Sequence, residues 1–394
     1  MLPGQGKYYR LDLKPEVISR GKVKYTRDDL HHWGPGKIFA EDDLYTTKWG
    51  HIINTDIEQF FFGKLDTAGP DAIDLIATFD HENDGIKYKE QKFHNFLSYL
   101  SLQKLRTPKG LAAFTAVART NNKNDTLILL QRMQQMYCAT WTDCIWQIAD
   151  ASESQTKFII SDHPVTVYNR ACPPLSKYCV GANDPDIRLN ATHTYFPLSL
   201  DKIIIFTNLS WLRNPYQSEL GVKPNPRLFR ETMFSWLSIQ VDRMLTEDEV
   251  LQINFITKRR AYRYIAAAEK EWLYPERRVS TDHWKRLGDG WLLMPEPRLE
   301  HMGGEILIGF KGGGATSFSP YGHRPWQKGH KDEERDRRES ETLERFKAEW
   351  AMKHGPKYTA YNNEFGGRLR EDSENMSEQR KKVFDRYRKV RRSR

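Results

Sequence analysis

The stretch KFIISDHPVTVY, residues 157–168, decides the fold of the middle of the chain. Both of its ends are rich in β-branched and aromatic residues, which favour strands. Asp162, His163 and Pro164 separate these ends, and a proline keeps the residue before it in an extended conformation. The stretch therefore predicts two short strands about a tight turn, with a carboxylate and an imidazole at the turn.

Outward from this stretch the pattern continues as strands on one side and helices on the other. Residues 194–197 and 203–207 are also β-branched or aromatic, which predicts a small mixed sheet around 157–207. Upstream, apolar residues recur every three or four positions from Pro70 to Ala149, as in amphipathic helices. The clearest helix is expected over residues 125–149, which would make Cys138 and Cys144 core thiols.

Two further helices have recognisable ends. One is expected to start near Ile52 and to end at Gly69-Pro70. The other follows the capping box TEDE at 246–249 and is expected to reach about Trp272. The predicted fold class is α+β: a predominantly helical body, the small mixed sheet and a helical C-terminal tail. The expected divisions are an N-terminal strand and turn region, a main helical domain with the sheet, a Gly/Pro-rich extension and a charged helical tail, at 1–50, 51–273, 274–330 and 331–394.

Composition limits the class of protein. The chain has 394 residues, of which 39% are hydrophobic and 29% charged, enough for a sizeable core. No apolar run approaches the roughly 18 residues of a membrane span, so no membrane partner is expected. Four cysteines in a chain of this length do not make a disulfide framework. We therefore expect a cytoplasmic protein with reduced thiols.

The net charge of +9 is concentrated at the C-terminus. The last fifteen residues carry nine basic side chains and one acidic side chain, so the remainder of the chain is close to neutral. Such a tail is either a solvated helix end or a contact for nucleic acid or an acidic partner. The residues predicted to bind nucleic acid are Arg380, Lys381, Lys382, Arg386, Arg388, Lys389, Arg391 and Arg392.

An ordered set of short blocks resembles a known family. The blocks are FAEDDLY at 39–45, DIE at 56–58, LQKLRTP at 102–108, FIISDHPV at 158–165 and YFPLS at 195–199. Together they resemble the bacterial family called domain of unknown function 4238, over about residues 7–270. The resemblance implies a mostly helical domain with a small sheet, and it implies no reaction.

Asp162 is the first candidate for a catalytic residue. A carboxylate held at a strand end beside Ser161 and His163 is a usual way to present a metal ligand or a general base. The alternative is that Asp162 bonds turn amides, with the help of Ser161. In the functional interpretation Ser161 contacts substrate and His163 assists proton transfer.

Glu58 is the second candidate, because its neighbours in the DIE block are expected to face the core. It would share a divalent metal ion with Asp162, or it would pair with Arg106 as a structural ion pair. Cys172 and Cys179, together with nearby histidines, contain zinc-ligand types, but their spacing does not match a zinc knuckle. A divalent metal ion is the cofactor that these residues suggest.

Three functions are compatible with these residues. The first is a nuclease-like hydrolase of phosphodiesters, with Asp162, Glu58 and His163 at the reaction centre and the tail on nucleic acid. The second is a non-catalytic module that binds a protein or a nucleic acid. The third is an enzyme on a small anionic substrate held by Arg106. Convergence of Asp162 and Glu58, a broad apolar patch, or a pocket walled by Arg106 would distinguish them.

Overall fold

A computed structural model of the chain describes residues 6–20, 23–39, 47–49, 52–54, 63–80, 90–118, 136–180, 184–217, 238–300, 306–309 and 314–355. Within these ranges the fold is α+β, as predicted. No helix among them has the length and apolar character needed to cross a bilayer.

The described helices are α1 (Gly63–Ala77), α2 (Glu90–Leu105), α3 (Pro108–Ala118), α4 (Glu247–Arg260) and α5 (Glu333–His354). The first strands are β1 (Tyr8–Asp12), β2 (Val17–Arg20), β3 (Val23–Thr26), β4 (Leu30–Trp33), β5 (Thr47–Trp49) and β6 (Ile52–Asn54). The middle strands are β7 (Cys144–Asp150), β8 (Ile160–Ser161), β9 (Thr166–Tyr168), β10 (Cys179–Val180), β11 (Asp184–Pro185), β12 (His193–Pro197) and β13 (Lys202–Asn208). The last are β14 (Gln240–Met244), β15 (Tyr264–Ala267), β16 (Ile306–Gly309) and β17 (Ala315–Phe318).

The larger sheet has five strands in the order β14-β7-β13-β12-β9. It holds three of the predicted strands of 157–207, as β9, β12 and β13, and also includes β7 and β14 from outside that range. The helix predicted over 125–149 is therefore wrong at its end, because Cys144 begins a central strand. Strand β7 is buried on both faces and shows no alternation, so its apolar residues also fit a helical spacing. Residues 119–135 lie outside the described part of the chain.

Helices α1 and α2 cover one face of this sheet. The predicted stripe of α2 is confirmed, since Phe93, Phe96, Leu97 and Leu100 all belong to the core between helix and sheet. Helix α1 passes through Pro70, so the prediction that Gly69-Pro70 ends a helix is wrong. A side chain at Gly69 would lie 2.6 Å from the Tyr99 ring of α2, so glycine permits the close approach of the two helices. The predicted start near Ile52 is wrong as well, because that residue lies in β6.

Helix α4 packs on the opposite face, where Val250, Ile253 and Ile256 join the buried side chains of β12 and β13. Its start is the predicted capping box. The Thr246 hydroxyl accepts from the Glu249 amide, and the Glu249 carboxylate accepts from the Thr246 amide. The predicted extension to Trp272 is wrong, because the helix ends at Arg260 and the chain continues into β15. Ala261 already has an extended backbone.

The second sheet has the strand order β4-β1-β15-β8 and is antiparallel throughout. It joins the first residues of the chain to the segment after α4, with Tyr9 opposite Ala267. The two strands predicted from residues 157–168 are present, but they do not pair with each other. Strand β8 belongs to this second sheet and β9 to the larger one, so the turn between them bridges two sheets.

The C-terminal helix α5 completes a third part of the core. Phe346 and Trp350 are buried against Ile145 and Trp211. The indole of Trp350 donates to Glu296, which also binds Arg298 through a fully buried ion pair at 2.7 Å. Residues beyond 273 therefore share buried contacts with the strands that precede them. The basic tail falls outside the described residues.

Candidate functional site

A sharp corner between α2 and α3 positions the first half of the candidate site. Helix α2 ends at Leu105 and Pro108 begins α3, as suits a residue without a backbone N–H. A Cβ at Gly110 would lie 2.2 Å from the Lys104 carbonyl oxygen, so only glycine permits this corner. The corner directs Lys104, Thr107 and Lys109 toward the turn that bridges the two sheets.

Lys104 is buried, with 5% of its surface exposed. Its ammonium donates to His163 Nε2 at 2.8 Å, to Asp184 Oδ2 at 2.6 Å and to the Val165 carbonyl at 3.3 Å. These contacts use all three of its N–H donors. Burial lowers the pKa of Lys104 to about 8, against the nearby Asp184 carboxylate, which raises it.

Lys109 contacts the other oxygen of the same carboxylate. Its ammonium lies 2.6 Å from Asp184 Oδ1 and 2.5 Å from the Arg260 carbonyl, and the side chain is 3% exposed. Asp184 is therefore held between two buried ammonium groups. Burial alone would raise the pKa of Asp184, but the charges of Lys104 and Lys109 hold it well below its usual value.

His163 links this ion pair to the α2–α3 corner. Its Nε2 accepts from Lys104, so Nδ1 carries the proton and donates to Thr107 Oγ1 at 2.6 Å. Burial, followed by the Lys104 charge, lowers the pKa of His163 to about 3. The imidazole is therefore neutral at physiological pH. We call Lys104, Thr107, Lys109, His163 and Asp184 the buried cluster.

Asp184 is the member of the buried cluster nearest the surface, with a side chain that is 13% exposed. Arg260 lies close enough for its charge to lower the pKa of Lys104 further. Asp162 is near enough to Lys109 for that ammonium to lower the carboxyl pKa. Three cations thus face two carboxylates within the described part of this region, which leaves a surplus of positive charge and favours an anionic ligand.

Asp162 itself points away from His163. Its Oδ1 accepts from the Tyr262 amide at 3.0 Å, and its Oδ2 accepts from the amides of Arg263 and Tyr264 at 2.8 and 2.9 Å. Burial raises the pKa of Asp162, against these three bonds, which lower it. The carboxylate therefore holds the chain in the extended path that ends α4 and begins β15.

We expect Asp162→Asn to lower the free energy of unfolding by about 2 kcal/mol, because an amide nitrogen would replace one accepting oxygen and face a backbone N–H. Urea unfolding measures this value. Asp150→Asn is the comparison, since Asp150 Oδ1 accepts only one backbone amide, that of Ser152 at an exposed turn. Equal unfolding energies for the wild type and Asp162→Asn would contradict the role of the carboxylate as an amide acceptor.

The other predicted site residues do not join the buried cluster as side chains. Ser161 Oγ donates to the His163 carbonyl at 2.9 Å and so shapes the turn. Arg106 contacts Asp66 of α1 at 2.6 Å. Glu58 lies outside the described residues, so its metal-binding role and its pairing with Arg106 stay predictions. The same holds for the nucleic-acid role of Arg380, Lys381, Lys382, Arg386, Arg388, Lys389, Arg391 and Arg392.

The described residues do not fit the predicted metal site. Among the described ranges, no group of three or more His, Cys, Asp or Glu side chains could hold a metal ion. Both Asp162 oxygens accept backbone amides, and the two lysines that flank Asp184 repel a cation. We therefore derive no step through a metal.

Sequence reasoning identified His163 but missed Lys104, Thr107, Lys109 and Asp184. One signal was available for Lys104: it lies four residues after Leu100, on the face that continues the buried stripe of α2. A lysine on an apolar stripe is rarely buried unless it is paired. Asp184 has no comparable signal, because it follows a loop without periodicity.

A family model matches residues 23–271, and the family is described as "Protein of unknown function (DUF4238)". Two of the five blocks on which the resemblance rests, 102–108 and 158–165, contribute Lys104, Thr107 and His163 to the buried cluster. No curated protein and no solved structure matches the chain.

Proposed function

The chain belongs to the DUF4238 family of proteins of unknown function, and we propose from the geometry of the buried cluster that it is a hydrolase acting on phosphodiesters. The observation that carries the proposal is the carboxylate of Asp184, held between two buried ammonium groups at 2.6 Å each. This arrangement places an ionised carboxylate and a surplus of positive charge together near the surface.

Lys109 supplies the contact with the phosphate. Among the described residues it donates to Asp184 and to the Arg260 carbonyl, which leaves its third N–H for an oxygen of the substrate. An ammonium in a site of low dielectric stabilises the charge on the phosphoryl oxygens more strongly than it would in water. Lys109 therefore binds the phosphodiester and favours its transition state.

Asp184 orients the attacking water. Phosphoryl transfer passes through a loose transition state, so positioning of the nucleophile matters more than the strength of the base. A carboxylate with a pKa well below its usual value remains ionised and able to accept a bond from water. The water oxygen, held by its hydrogen bond to Asp184, bonds to phosphorus as the ester P–O bond breaks, and the proton of the attacking water passes to solvent. The leaving oxygen takes a proton from solvent.

Lys104, His163 and Thr107 are positioning residues. Lys104 fixes the second carboxylate oxygen, His163 fixes the lysine, and Thr107 fixes the imidazole tautomer. Their burial keeps each side chain in one arrangement. The basic tail remains a proposed contact for nucleic acid, separate from this centre.

We expect hydrolysis of bis(p-nitrophenyl) phosphate, measured by release of p-nitrophenolate, to fall about 100-fold in kcat/KM in Lys109→Gln. Asp201→Asn is the matched control. Asp201 also pairs with a lysine at 2.6 Å, but this pair, Lys157–Asp201, lies outside the buried cluster and its aspartate is 43% exposed.

A second measurement separates the reaction centre from a structural role. Thr107→Ser keeps the hydroxyl that accepts from His163 and is expected to retain activity, whereas Thr107→Val should lose about 10-fold in kcat with little change in KM. Equal activity of the wild type and Lys109→Gln, in protein with a native circular dichroism spectrum, would refute the proposal. So would the absence of diester hydrolysis in the wild type.

A further inference from the structure

A row of stacked side chains crosses the second sheet, outside the buried cluster. His31 stacks on Trp33 with ring centroids 4.4 Å apart, and the Arg10 guanidinium lies 4.4 Å from the Trp33 ring. Arg10 is also 4.2 Å from the Tyr264 ring, over which Arg263 lies at 5.0 Å. We call these five residues the stacking row.

The stacking row follows from the register of the strands. Arg10 is opposite His31, and Asp12 is opposite Tyr264, so residues of β4, β1 and β15 share one face. Arg10 of β1 therefore stands beside rings from both neighbouring strands, and Arg263 lies over the ring of the residue that follows it. Alternating rings and guanidinium groups offer flat surfaces to bases and positive charge to phosphates.

The row and its flanks are accessible to a ligand. All five residues are partly exposed, and one more ring contact adjoins them on the same face. The exposed Lys14 lies 4.9 Å from the Tyr262 ring. The carboxylates of Asp12 and Glu16 lie 2.9 and 3.8 Å from Arg263, and the Asp12 charge also acts on Arg10. Three cations, Arg10, Lys14 and Arg263, therefore face two carboxylates and leave one positive charge.

The stacking row leads to the buried cluster through the backbone of Tyr264. That amide donates to Asp162 at 2.9 Å, and Asp162 lies within electrostatic range of Lys109. The next strand, β8, pairs with β15 and ends at Ser161, two residues before His163. The stacking row and the buried cluster therefore lie on neighbouring elements of the fold.

We propose that the stacking row binds single-stranded nucleic acid, with bases on its rings and phosphates on Arg10 and Lys14. That nucleic acid is the phosphodiester substrate rests on the proposed function. Binding of nucleic acid to the stacking row does not depend on that function. Few charges take part, so stacking supplies most of the affinity and the dependence on salt is shallow.

The test is fluorescence anisotropy with a labelled oligothymidylate of about fifteen nucleotides, compared with an abasic strand of the same length and charge. The wild type is expected to bind the oligothymidylate at least about 10-fold more tightly than the abasic strand. A gel confirms that the strands remain intact during the measurement. Equal affinity for the two strands, or no binding of either, would overturn the inference.

Variants locate the surface. Trp33→Ala is expected to weaken binding about 10-fold, and Tyr262→Ala, at an exposed ring that tolerates truncation, should weaken it several-fold. Trp326→Ala is the control, because Trp326 is 71% exposed and carries Arg324 at 5.3 Å from its ring but lies outside the row. Equal losses in Trp326→Ala and Tyr262→Ala would contradict the assignment.

Different results would contradict the proposed hydrolase and the proposed nucleic-acid surface. Hydrolysis of bis(p-nitrophenyl) phosphate requires no strand of stacked bases, so loss of oligonucleotide binding in Tyr262→Ala should leave it unchanged. Lys109→Gln should lose hydrolysis and retain the preference for the oligothymidylate over the abasic strand. A preference that disappears in Lys109→Gln would place the binding surface at the lysines and refute the stacking row.

Discussion

Asp184→Asn is expected to lower the free energy of unfolding by about 3–5 kcal/mol, because it leaves two buried ammonium groups without their shared carboxylate. Lys104 and Lys109 are 6% and 3% exposed at their side chains, so water compensates little for the lost charge. An amide of the same shape offers one accepting oxygen where the carboxylate offers two. The effect is therefore electrostatic rather than a loss of packing.

A double-mutant cycle with Lys109→Met tests this cause. Removal of one ammonium should reduce the cost of Asp184→Asn by at least about 1 kcal/mol, since the two residues contact each other directly. Urea unfolding of the four proteins supplies the coupling energy. The exposed pair Lys157–Asp201 gives the reference, and its cycle is expected to yield less than about 1 kcal/mol. Additive effects at Asp184 and Lys109 would show that the ion pair does not stabilise the fold.

Acidification from pH 6.5 to 4 is expected to destabilise the protein by up to about 3 kcal/mol for each of two buried histidines. Burial lowers the pKa of His163 and of His193 to about 3 in the folded state. Below the ordinary value of 6.5 the unfolded chain therefore binds more protons than the folded chain, and stability falls as the pH falls. The positive charges that face these rings also lower the pKa: Lys104 and Lys109 at His163, and Arg243 at His193. The Asp184 carboxylate partly opposes them at His163.

Other groups of the buried cluster titrate outside this interval. The pKa of Asp184 lies below the usual aspartate value, so its stabilising contribution is lost only at lower pH. The pKa of Lys104 falls from 10.5 to about 8, so stability rises with pH between those values. Burial also lowers the pKa of His354 to about 4, so the interval from pH 4 to 6.5 reports mainly on three histidines of the described part of the chain, His163, His193 and His354.

The variant His193→Asn measures how much of this pH dependence of stability comes from one histidine. His193 Nδ1 bonds Thr207 Oγ1 at 2.9 Å, and the shorter asparagine amide can retain that bond without a titrating group. The slope of unfolding free energy against pH, from urea titrations at several pH values, is expected to fall by about a third in this variant. An unchanged slope would show that His193 is not held neutral in the folded protein.

The sequence predicted local features of the fold well where residues close together in the chain determine them. The capping box at Thr246 lies within one helix, as does the apolar repeat of the α2 stripe, and both are present. The turn at Asp162 to Pro164 is present as well. The pairing partners of the strands on either side of this turn were not predictable, because β8 and β9 pair with strands far along the chain, in two different sheets.

The candidate site was predictable only in part. His163 stands in a distinctive block, whereas Asp184 reaches Lys104 and Lys109 across 80 and 75 residues of chain. No periodicity encodes such a contact, which depends on how the loop after β10 returns to β11. The orientation of Asp162 was also hidden, since its amide partners at 262–264 fall where the sequence predicted a continuing helix.

The anchoring of α5 has a consequence for how relatives can vary. The family match ends at residue 271, yet Phe346 and Trp350 fill space beside Ile145 and Trp211, which lie inside the match. The family match therefore ends at residue 271, whereas the packed core continues into the C-terminal helix. A relative without an equivalent helix would expose a large apolar surface at those two positions unless smaller or polar residues replaced Ile145 and Trp211. Substitutions at these positions should accordingly be inherited together with the presence or absence of the C-terminal helix.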